Sequence, residues 1–214
     1  MAIRINGVIV SDRDKWIYDW FGEPSFCPND LLEDLESGKD IDIQINSPGG
    51  SVFAGSEIYT LLMNHKGNVN ITITGLCASI ASVIAMAGTT VSMSPTAQFM
   101  IHNVSGMTSG DYRDMEHMAE VLKKNNEALC NAYEIKSGLS RDEILEMMNH
   151  ETWLTAQECL DKGFIDNIKS KEEKEPVQLV AGYKPNIIPQ SILDKMNLSK
   201  EKEKLNLLKL KELK

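Results

Sequence analysis

The stretch DIDIQINSPGGSVFAG, residues 40–55, decides the fold class of this 214-residue chain. Apolar and polar residues alternate strictly from Ile41 to Asn46, which predicts a β-strand. The strand is expected to stop at the turn Ser47–Gly50, and a helix is predicted after it. The apolar residues on one side of that helix are Ala54, Ile58, Leu61 and Leu62. A strand, a glycine-bearing turn and a helix therefore follow one another directly.

The same order recurs about 30 residues later in VNITITGLCASIASVIA, residues 69–85. Val69, Ile71 and Ile73 alternate as in a strand, Gly75 is expected to break it, and small helix-forming residues continue to Ala87. A third pair of strands is predicted at residues 90–93 and 98–102. Strands that alternate with helices predict an α/β fold whose sheet is mainly parallel.

The flanking segments extend this pattern. Residues 3–10 predict a further strand. Residues 29–35 predict a short helix that begins at an Asn29 cap and ends at Gly38. A long helix is predicted from Asp111 to Lys136, with Ser137-Gly138 as its stop. Two hydroxyl-x-x-carboxylate capping boxes then predict two more helices, one at residues 140–143 and one at 155–158.

Composition and charge exclude several classes of protein. The residues are 42% hydrophobic and 25% charged, which is typical of a globular protein, and the net charge of −9 argues against a nucleic-acid-binding surface. No apolar run is long enough to span a membrane, and the N-terminus does not resemble a secretory signal. The four cysteines lie far apart without metal-ligand spacing, which predicts free thiols in a reducing cytoplasm. No phosphate-binding loop is present, and no cofactor is expected.

A change in residue composition near residue 170 predicts a boundary between a domain at 1–169 and a charged, partly helical extension at 170–214. The extension contains ten Lys and seven Asp or Glu residues, which leaves the first 169 residues with a net charge of −12. Leucines among the charges of residues 200–214 are compatible with an amphipathic helix. This helix is either a solvated tail or a segment for oligomerisation or partner binding.

Ser79 and His102 are the candidate catalytic residues. Ser79 is predicted in the first turn of a helix, where free backbone N–H groups can stabilise an oxyanion. The alternative is that Ser79 is small only because this helix packs tightly. Cys77 is a weaker candidate nucleophile. His102 closes an apolar strand and precedes a loop, which is where α/β sheets place reactive groups. The other histidines are expected to face solvent, namely His65, His117 and His150.

Four motifs in this order resemble the ClpP family of serine peptidases over about residues 2–168. They are Asn46-Ser-Pro-Gly-Gly-Ser51, Gly75-x-x-Ala-Ser79, Phe99-Met-Ile-His102 and Trp153-Leu-Thr-Ala-x-Glu158, the last ending in Gly163-Phe-Ile-Asp166. Within the family, the sequence is most similar to the ClpP-related head maturation proteases of tailed bacteriophages. The resemblance implies a ClpP/crotonase-like fold of repeated β-β-α units with a protruding long handle helix.

The resemblance also implies a role for each site residue. Ser79 would be the nucleophile of a serine endopeptidase and His102 its general base, while the amides of Gly50 and Ile80 would form the oxyanion hole. The third triad position falls on Glu151, where the family usually has Asp. Asn149 and Asp166 are weaker candidates for that orienting role.

The resemblance implies polypeptide substrates and a homo-oligomeric ring, with a heptamer or stacked rings as the alternatives. Because the family's N-terminal gate segment is not evident before the first strand, we expect ATP-independent proteolysis. Phage scaffold or capsid proteins are the expected partners, without nucleic acid or membrane, in the bacterial cytoplasm or the phage prohead. The C-terminal extension would be a targeting or self-cleaved segment. Three alternatives stay open: a ClpP-like subunit that works with a Clp ATPase, an inactive assembly scaffold, and a crotonase-like enzyme acting on acyl-CoA thioesters.

Overall fold

Eight β-strands and seven α-helices alternate along residues 2–170, which are the residues that the computed structural model describes. The strands are β1 (Ile3–Ile9), β2 (Ser25–Phe26), β3 (Ile41–Gly50), β4 (Val69–Ala78), β5 (Thr90–Met93), β6 (Gln98–Ile101), β7 (Thr152–Leu154) and β8 (Asn167–Ile168). The helices are α1 (Lys15–Phe21), α2 (Asn29–Glu36), α3 (Val52–Met63), α4 (Ile80–Ala85), α5 (Tyr112–Ser137), α6 (Arg141–Asn149) and α7 (Ala156–Asp161). The predicted extension at 170–214 lies outside the described residues, apart from its first residue.

The strands form one sheet in the order β2-β1-β3-β4-β5-β8, and every neighbouring pair on this path is parallel. The sheet branches at β4, whose residues 70–73 pair with β5 and whose residues 76–78 pair with β6. β7 continues the β6 branch in the antiparallel direction. The predicted α/β fold with a mainly parallel sheet is therefore confirmed. Because β3, β4 and β6 run parallel, the segments that follow them leave the same edge of the sheet.

Apolar side chains on alternate positions of the central strands form the core. Ile43, Ile45, Ile71 and Ile73 are at most 1% exposed, while the polar residues between them face away from this core. α3 and α4 contribute to the same core, and all six residues of α4 are buried. Burial of a side chain such as Ile stabilises the fold by about 1.5–3 kcal/mol, so this cluster holds β3 and β4 in a fixed relation.

The central strands run further than the sequence predicts. β3 does not stop at Ser47 but continues through Gly50, and β4 is not broken at Gly75 but continues to Ala78. A Cβ atom at position 75 would lie 2.5 Å from Oδ1 of Asn46, and this oxygen accepts a hydrogen bond of 2.9 Å from the Leu76 amide. Gly75 therefore permits the close approach of a cross-strand asparagine instead of ending the strand.

Two smaller expectations were also wrong. Asn29 is the first residue of α2 and not its cap, because Pro28 occupies the cap position and the Asp30 carboxylate accepts the hydrogen bond from the Cys27 amide. The strands β5 and β6 were expected as a pair, but each pairs with β4 instead.

The long helix α5 agrees with the sequence at both ends. Asp111 caps its N-terminus in a capping box, and Gly138 ends it in the left-handed conformation. Its buried residues, Cys130, Ala132 and Tyr133, all lie in its C-terminal third. Within residues 2–170, no helix combines the length and the apolar composition needed to cross a bilayer.

Candidate active site

Ser79 lies between β4 and α4 in a backbone conformation that is rare for a residue with a side chain. Its φ is 57° and its ψ is −131°, and it precedes the first helical residue of α4 instead of lying within the helix as predicted. Such a conformation costs about 1–3 kcal/mol and persists only where neighbouring groups hold it. The Ser79 amide donates to the Met100 carbonyl at 3.0 Å, and the Ser79 carbonyl accepts from the Ser82 amide at 2.9 Å.

A buried hydroxyl chain also holds the Ser79 carbonyl. The Ser82 hydroxyl donates to this carbonyl at 2.5 Å, and the oxygens of Ser82 and Tyr133 lie 2.7 Å apart. Because the single hydroxyl proton of Ser82 is used on Ser79, Tyr133 must be the donor to Ser82. Both side chains are almost completely buried, and burial raises the pKa of the Tyr133 hydroxyl well above its usual range, so Tyr133 remains a donor. The chain thus links α5 to Ser79.

The glycine pair at the end of β3 lies directly against Ser79. A Cβ atom at Gly49 would be 2.7 Å from the Ser79 Cβ, and one at Gly50 would be 2.1 Å from the Ile9 carbonyl oxygen. Both glycines have positive φ, at 95° and 149°. Only glycine allows this backbone path, so the sequence Gly-Gly is what lets β3 pass beside Ser79. The Ile80 amide, as the first of α4, has no acceptor in the helical ladder and lies on the same side as the glycines.

His102 follows β6, and its Nε2 atom lies 2.7 Å from the Ser79 Oγ atom. The contact is within hydrogen-bond distance. In the tautomer with an unprotonated Nε2, the Ser79 hydroxyl donates to the imidazole, which is the arrangement that activates a serine. The structure therefore brings together two residues that are 23 positions apart in the sequence.

A cavity of about 240 Å³ opens beside this pair. Its walls include Gly50 and Ile80, the two residues expected to supply oxyanion amides, together with Ser79 and His102. The remaining lining residues are mostly apolar: Val52, Val104, Ser105, Leu129 and Tyr133. The four predicted residues thus share one cavity that has the size and character of a small ligand pocket.

Glu151 is not bonded to His102 in the described part of the chain. It is exposed, has a φ of 46°, and accepts a 3.3 Å hydrogen bond from the Trp153 indole nitrogen. The antiparallel pairing of β6 and β7 nevertheless matches Ile101 with Thr152. His102 and Glu151 are therefore the residues that directly adjoin this last strand pair, one on each chain segment.

The two substitutes for the orienting role are engaged elsewhere. The Asn149 side-chain oxygen accepts from the Asn103 amide group at 2.8 Å. The Asp166 carboxylate accepts from the Val91 amide at 2.6 Å and pairs with Lys136 at 2.8 Å, beside β5. Glu151 is therefore the candidate that the strand register favours.

The other candidate nucleophile and the other histidines lie outside this arrangement. Cys77 is fully buried, and burial raises the pKa of its thiol well above the usual value, which removes the reactive thiolate. His65 hydrogen-bonds the Lys39 carbonyl, His150 contacts the Glu146 carboxylate, and His117 is exposed on α5. All four cysteines are free and buried.

Sequence reasoning missed the Ser82–Tyr133 link. Ser82 follows Ser79 by three residues, which is one helical turn, but a serine at this position is equally typical of a tightly packed helix. Tyr133 has a polar hydroxyl, which is the one signal in the sequence of a buried partner. No spacing rule joins residues that are 51 positions apart.

Comparison with known proteins gives a consistent result. A family model described as Clp protease matches residues 30–172. Proteins named ATP-dependent Clp protease proteolytic subunit from Bacteroides fragilis and Streptococcus pneumoniae are each 37% identical to the chain, over 143 and 142 residues. The aligned parts cover 66% and 64% of this chain, and 69% and 72% of the two relatives. A Porphyromonas gingivalis protein of the same name is 35% identical over 145 residues, which cover 67% of this chain and 65% of the relative.

Proposed function

Because the chain belongs to the Clp protease family of serine peptidases, we propose that it is an endopeptidase whose Ser79 attacks peptide bonds with His102 as general base. The 2.7 Å contact between the Ser79 hydroxyl and the His102 imidazole carries this proposal. The residues of the cavity supply the rest of the chemistry, since Gly50 and Ile80 line it beside the nucleophile.

The geometry supports a two-step acyl transfer. His102 takes the proton as the Ser79 oxygen attacks the scissile carbonyl, and the tetrahedral oxyanion is stabilised by the amides of Gly50 and Ile80. The imidazolium then gives the proton to the leaving amine, which departs and leaves an acyl-Ser79 ester. Water attacks this ester with His102 again as base, and the acid product is released. An oxyanion donor of this kind is worth about 2.7–4 kcal/mol of transition-state stabilisation.

Glu151 completes the proposed triad as the residue that orients His102. In this role its carboxylate would accept a hydrogen bond from Nδ1 of His102 and stabilise the imidazolium. The position of Glu151 next to the last β6–β7 pair supports the assignment, and the hydrogen bond that its carboxylate accepts from Trp153 is long, at 3.3 Å. Catalytic hydrogen bonds are often long or poorly aligned before substrate binds and tighten in the complex.

Labelling with a fluorophosphonate tests the catalytic assignment. Wild-type protein should form a covalent adduct at Ser79, Ser79→Ala should form none, and His102→Ala should react at least about 100-fold more slowly. Equal thermal stability of the three proteins would exclude unfolding as the cause. A wild-type protein that stays unlabelled under native conditions would refute the proposal.

The relatives favour a mode of action in which this chain is a proteolytic subunit and works with a Clp ATPase. The relatives named above are all described as ATP-dependent subunits, whereas none is a phage head maturation protease. Proteases of this family form oligomeric rings and act on polypeptides, and we extend both properties to this chain. ATP-independent action on phage scaffold or capsid proteins, and a location in the host cytoplasm or the prohead, stay predictions without this support.

A stably folded substrate separates these two modes. An ATPase-coupled subunit should degrade it only when a Clp ATPase and ATP are added, because a closed ring admits only unfolded chains. The head maturation role would instead be supported if scaffold protein were degraded at the same rate with and without the ATPase. The folded substrate should then stay intact under both conditions.

The structure argues against the two non-peptidase alternatives. A crotonase-like enzyme needs carboxylates near the acyl group, but the described residues that line the cavity include no Asp or Glu. An inactive scaffold has no need for a serine in a strained conformation within hydrogen-bond distance of a histidine. Casein cleavage that His102→Ala abolishes would exclude both.

A further inference from the structure

Helix α1 exposes more aromatic surface than a solvated helix normally does. None of its seven residues is buried, and Trp16, Trp20 and Phe21 are 65%, 79% and 73% exposed. Of these three side chains, only Phe21 lines the groove described next, and an exposed aromatic side chain beside a groove is typical of a binding site. α1 also precedes residue 30, where the match to the family model begins.

One face of α1 forms a groove with the end of β1. The groove has a volume of about 770 Å³, and its apolar lining consists of Val8, Ile9, Val10, Ile17, Tyr18 and Phe21. Asp14 and Glu23 contribute carboxylates to its rim. Its size is that of sites that enclose a ligand of several linked groups, such as two or three amino-acid residues.

The groove lies next to the candidate active site. Gly50 lines both the groove and the cavity that contains Ser79 and His102, and its neighbours Ser51 and Val52 line one space each. A polypeptide held in the cavity therefore has the groove beside it at Gly50.

We propose that the groove between α1 and β1 is a subsite for the polypeptide substrate, which binds an apolar side chain of the substrate away from the scissile bond. This inference rests on the proposed peptidase function. The groove provides apolar contact for an aliphatic or aromatic side chain, and the two carboxylates of the rim favour a basic residue next to it. The substrate class is thus an unfolded polypeptide with apolar residues flanked by Lys or Arg.

Variants of α1 provide a matched test, because the helix presents two faces. Ile17 and Phe21 are four residues apart and line the groove, whereas Trp16 and Trp20 have the same spacing but do not line it. Replacing Phe21 or Ile17 by Gln should lower kcat/KM for casein by about fivefold or more, through a higher KM, because a buried apolar contact is lost. Cleavage of a tripeptidyl fluorogenic amide and labelling by a fluorophosphonate should stay unchanged, since neither probe extends to the groove.

The control variants Trp16→Gln and Trp20→Gln should leave casein cleavage within about twofold of wild type, as surface substitutions usually do. An equal loss in all four variants would overturn the proposal and indicate that the whole of α1 contacts another copy of the chain or a partner protein. Unchanged kinetics in all four would also overturn it.

A binding measurement keeps this inference separate from the peptidase assignment. The Ser79→Ala variant should bind a labelled decapeptide with a central Leu-Phe pair flanked by Lys, and fluorescence anisotropy should report about fivefold weaker binding when Phe21→Gln is added. If the wild-type protein were not labelled at Ser79, the catalytic proposal would fail. The anisotropy measurement would still test whether the groove binds the peptide, because it does not depend on catalysis. Equal affinity of the two variants would refute the subsite even in an active peptidase.

Discussion

Two residues of the candidate site share one backbone anomaly but differ in what surrounds them. Ser79 and Glu151 are the only non-glycine residues of the described chain with positive φ, at 57° and 46°. Ser79 is held by hydrogen bonds at both its amide and its carbonyl and packs against Gly49. Glu151 is exposed, and its amide makes one long hydrogen bond of 3.3 Å to the Met148 carbonyl.

The difference indicates how the site is built. The geometry of the proposed nucleophile and base is part of the core, because β3, β4, β6 and α4 all contribute to it. The proposed third residue, Glu151, lies at the junction of α6 and β7, and its side chain makes one long hydrogen bond, with Trp153. We therefore expect substitutions near Ser79 to change activity and stability together, and substitutions at Glu151 to change activity alone.

The largest effect is expected from Gly49→Ala. The new methyl group would lie 2.7 Å from the Ser79 Cβ and 2.8 Å from the Ala78 carbonyl oxygen, so β3 or Ser79 must move. A shift of about 1 Å in a catalytic group can cost about 100-fold in rate, and the positive φ adds backbone strain. We expect kcat to fall at least about 100-fold, together with a lower Tm, measured by peptide hydrolysis and calorimetry.

Gly38→Ala is the matched control for this prediction. Gly38 also has a positive φ, at 62°, but a Cβ atom there would meet nothing within 4 Å. This variant should lose about 1 kcal/mol of stability and no activity. If both variants lost the same activity, the contact between β3 and Ser79 would not be the cause.

The next largest effect is expected at Glu151. Glu151→Gln keeps the size of the side chain but removes the charge that would stabilise the His102 imidazolium. We expect kcat to fall by about 10- to 100-fold with an unchanged Tm. This loss of kcat is smaller than the one expected from removing His102, which already contacts Ser79. Peptide hydrolysis at pH 7 measures the loss of kcat, and calorimetry measures the Tm. Full activity in Glu151→Gln would exclude Glu151 from the triad.

Asp166→Asn separates this effect from a general loss of carboxylates. Asp166 pairs with Lys136 and accepts a hydrogen bond from the Val91 amide, away from His102. The variant should therefore lower Tm and leave kcat unchanged, the reverse of Glu151→Gln.

How far the sequence predicts the structure follows from this contrast. Local patterns identify most of the strands and helices, because the alternation in β3 and β4 and the cap and stop of α5 act within a few residues. They place Ser79 and His102 at the ends of parallel strands, and the topology then brings them together. Local patterns do not reveal that Gly75 accommodates Asn46, since that contact depends on strand register. For the same reason they do not locate the Glu151 carboxylate.

A smaller effect is expected from the hydroxyl chain behind Ser79. Ser82→Ala removes one hydrogen bond to the Ser79 carbonyl and leaves the buried Tyr133 hydroxyl without its acceptor. We expect a stability loss of about 1–3 kcal/mol and a decrease in kcat of about three- to tenfold, because the Ser82 amide still holds the carbonyl. The KM should change little, since the Ser82 side chain does not line the cavity and the Tyr133 side chain stays in place.

The double variant Ser82→Ala/Tyr133→Phe distinguishes positioning from folding. It removes the orphaned hydroxyl, so most of the stability should return. The kcat defect should persist, because the Ser79 carbonyl still lacks its side-chain donor. Recovery of kcat together with stability would show that the chain supports only the fold.

The smallest effect is expected at Glu158, a second glutamate close in sequence to Glu151. Comparing the two separates a carboxylate that supports a helix from one proposed to act in catalysis. Glu158 completes the capping box of α7, and hydrogen bonds from the Thr155 amide and hydroxyl lower the pKa of its carboxyl. A lowered folded-state pKa means that the carboxylate stabilises the fold above the ordinary pKa near 4.5 and loses this contribution as the pH falls further. Glu158→Gln should therefore slightly lower Tm at pH 7, while the difference from wild type should shrink as the pH falls through the lowered pKa, because a protonated Glu158 is as uncharged as Gln. Peptidase activity at pH 7 should not change, since Glu158 supports the helix that follows β7 and does not face His102. A Tm difference that did not shrink on acidification would show that the amide replacement disturbs the cap itself, and that the charge of this carboxylate has no part in it.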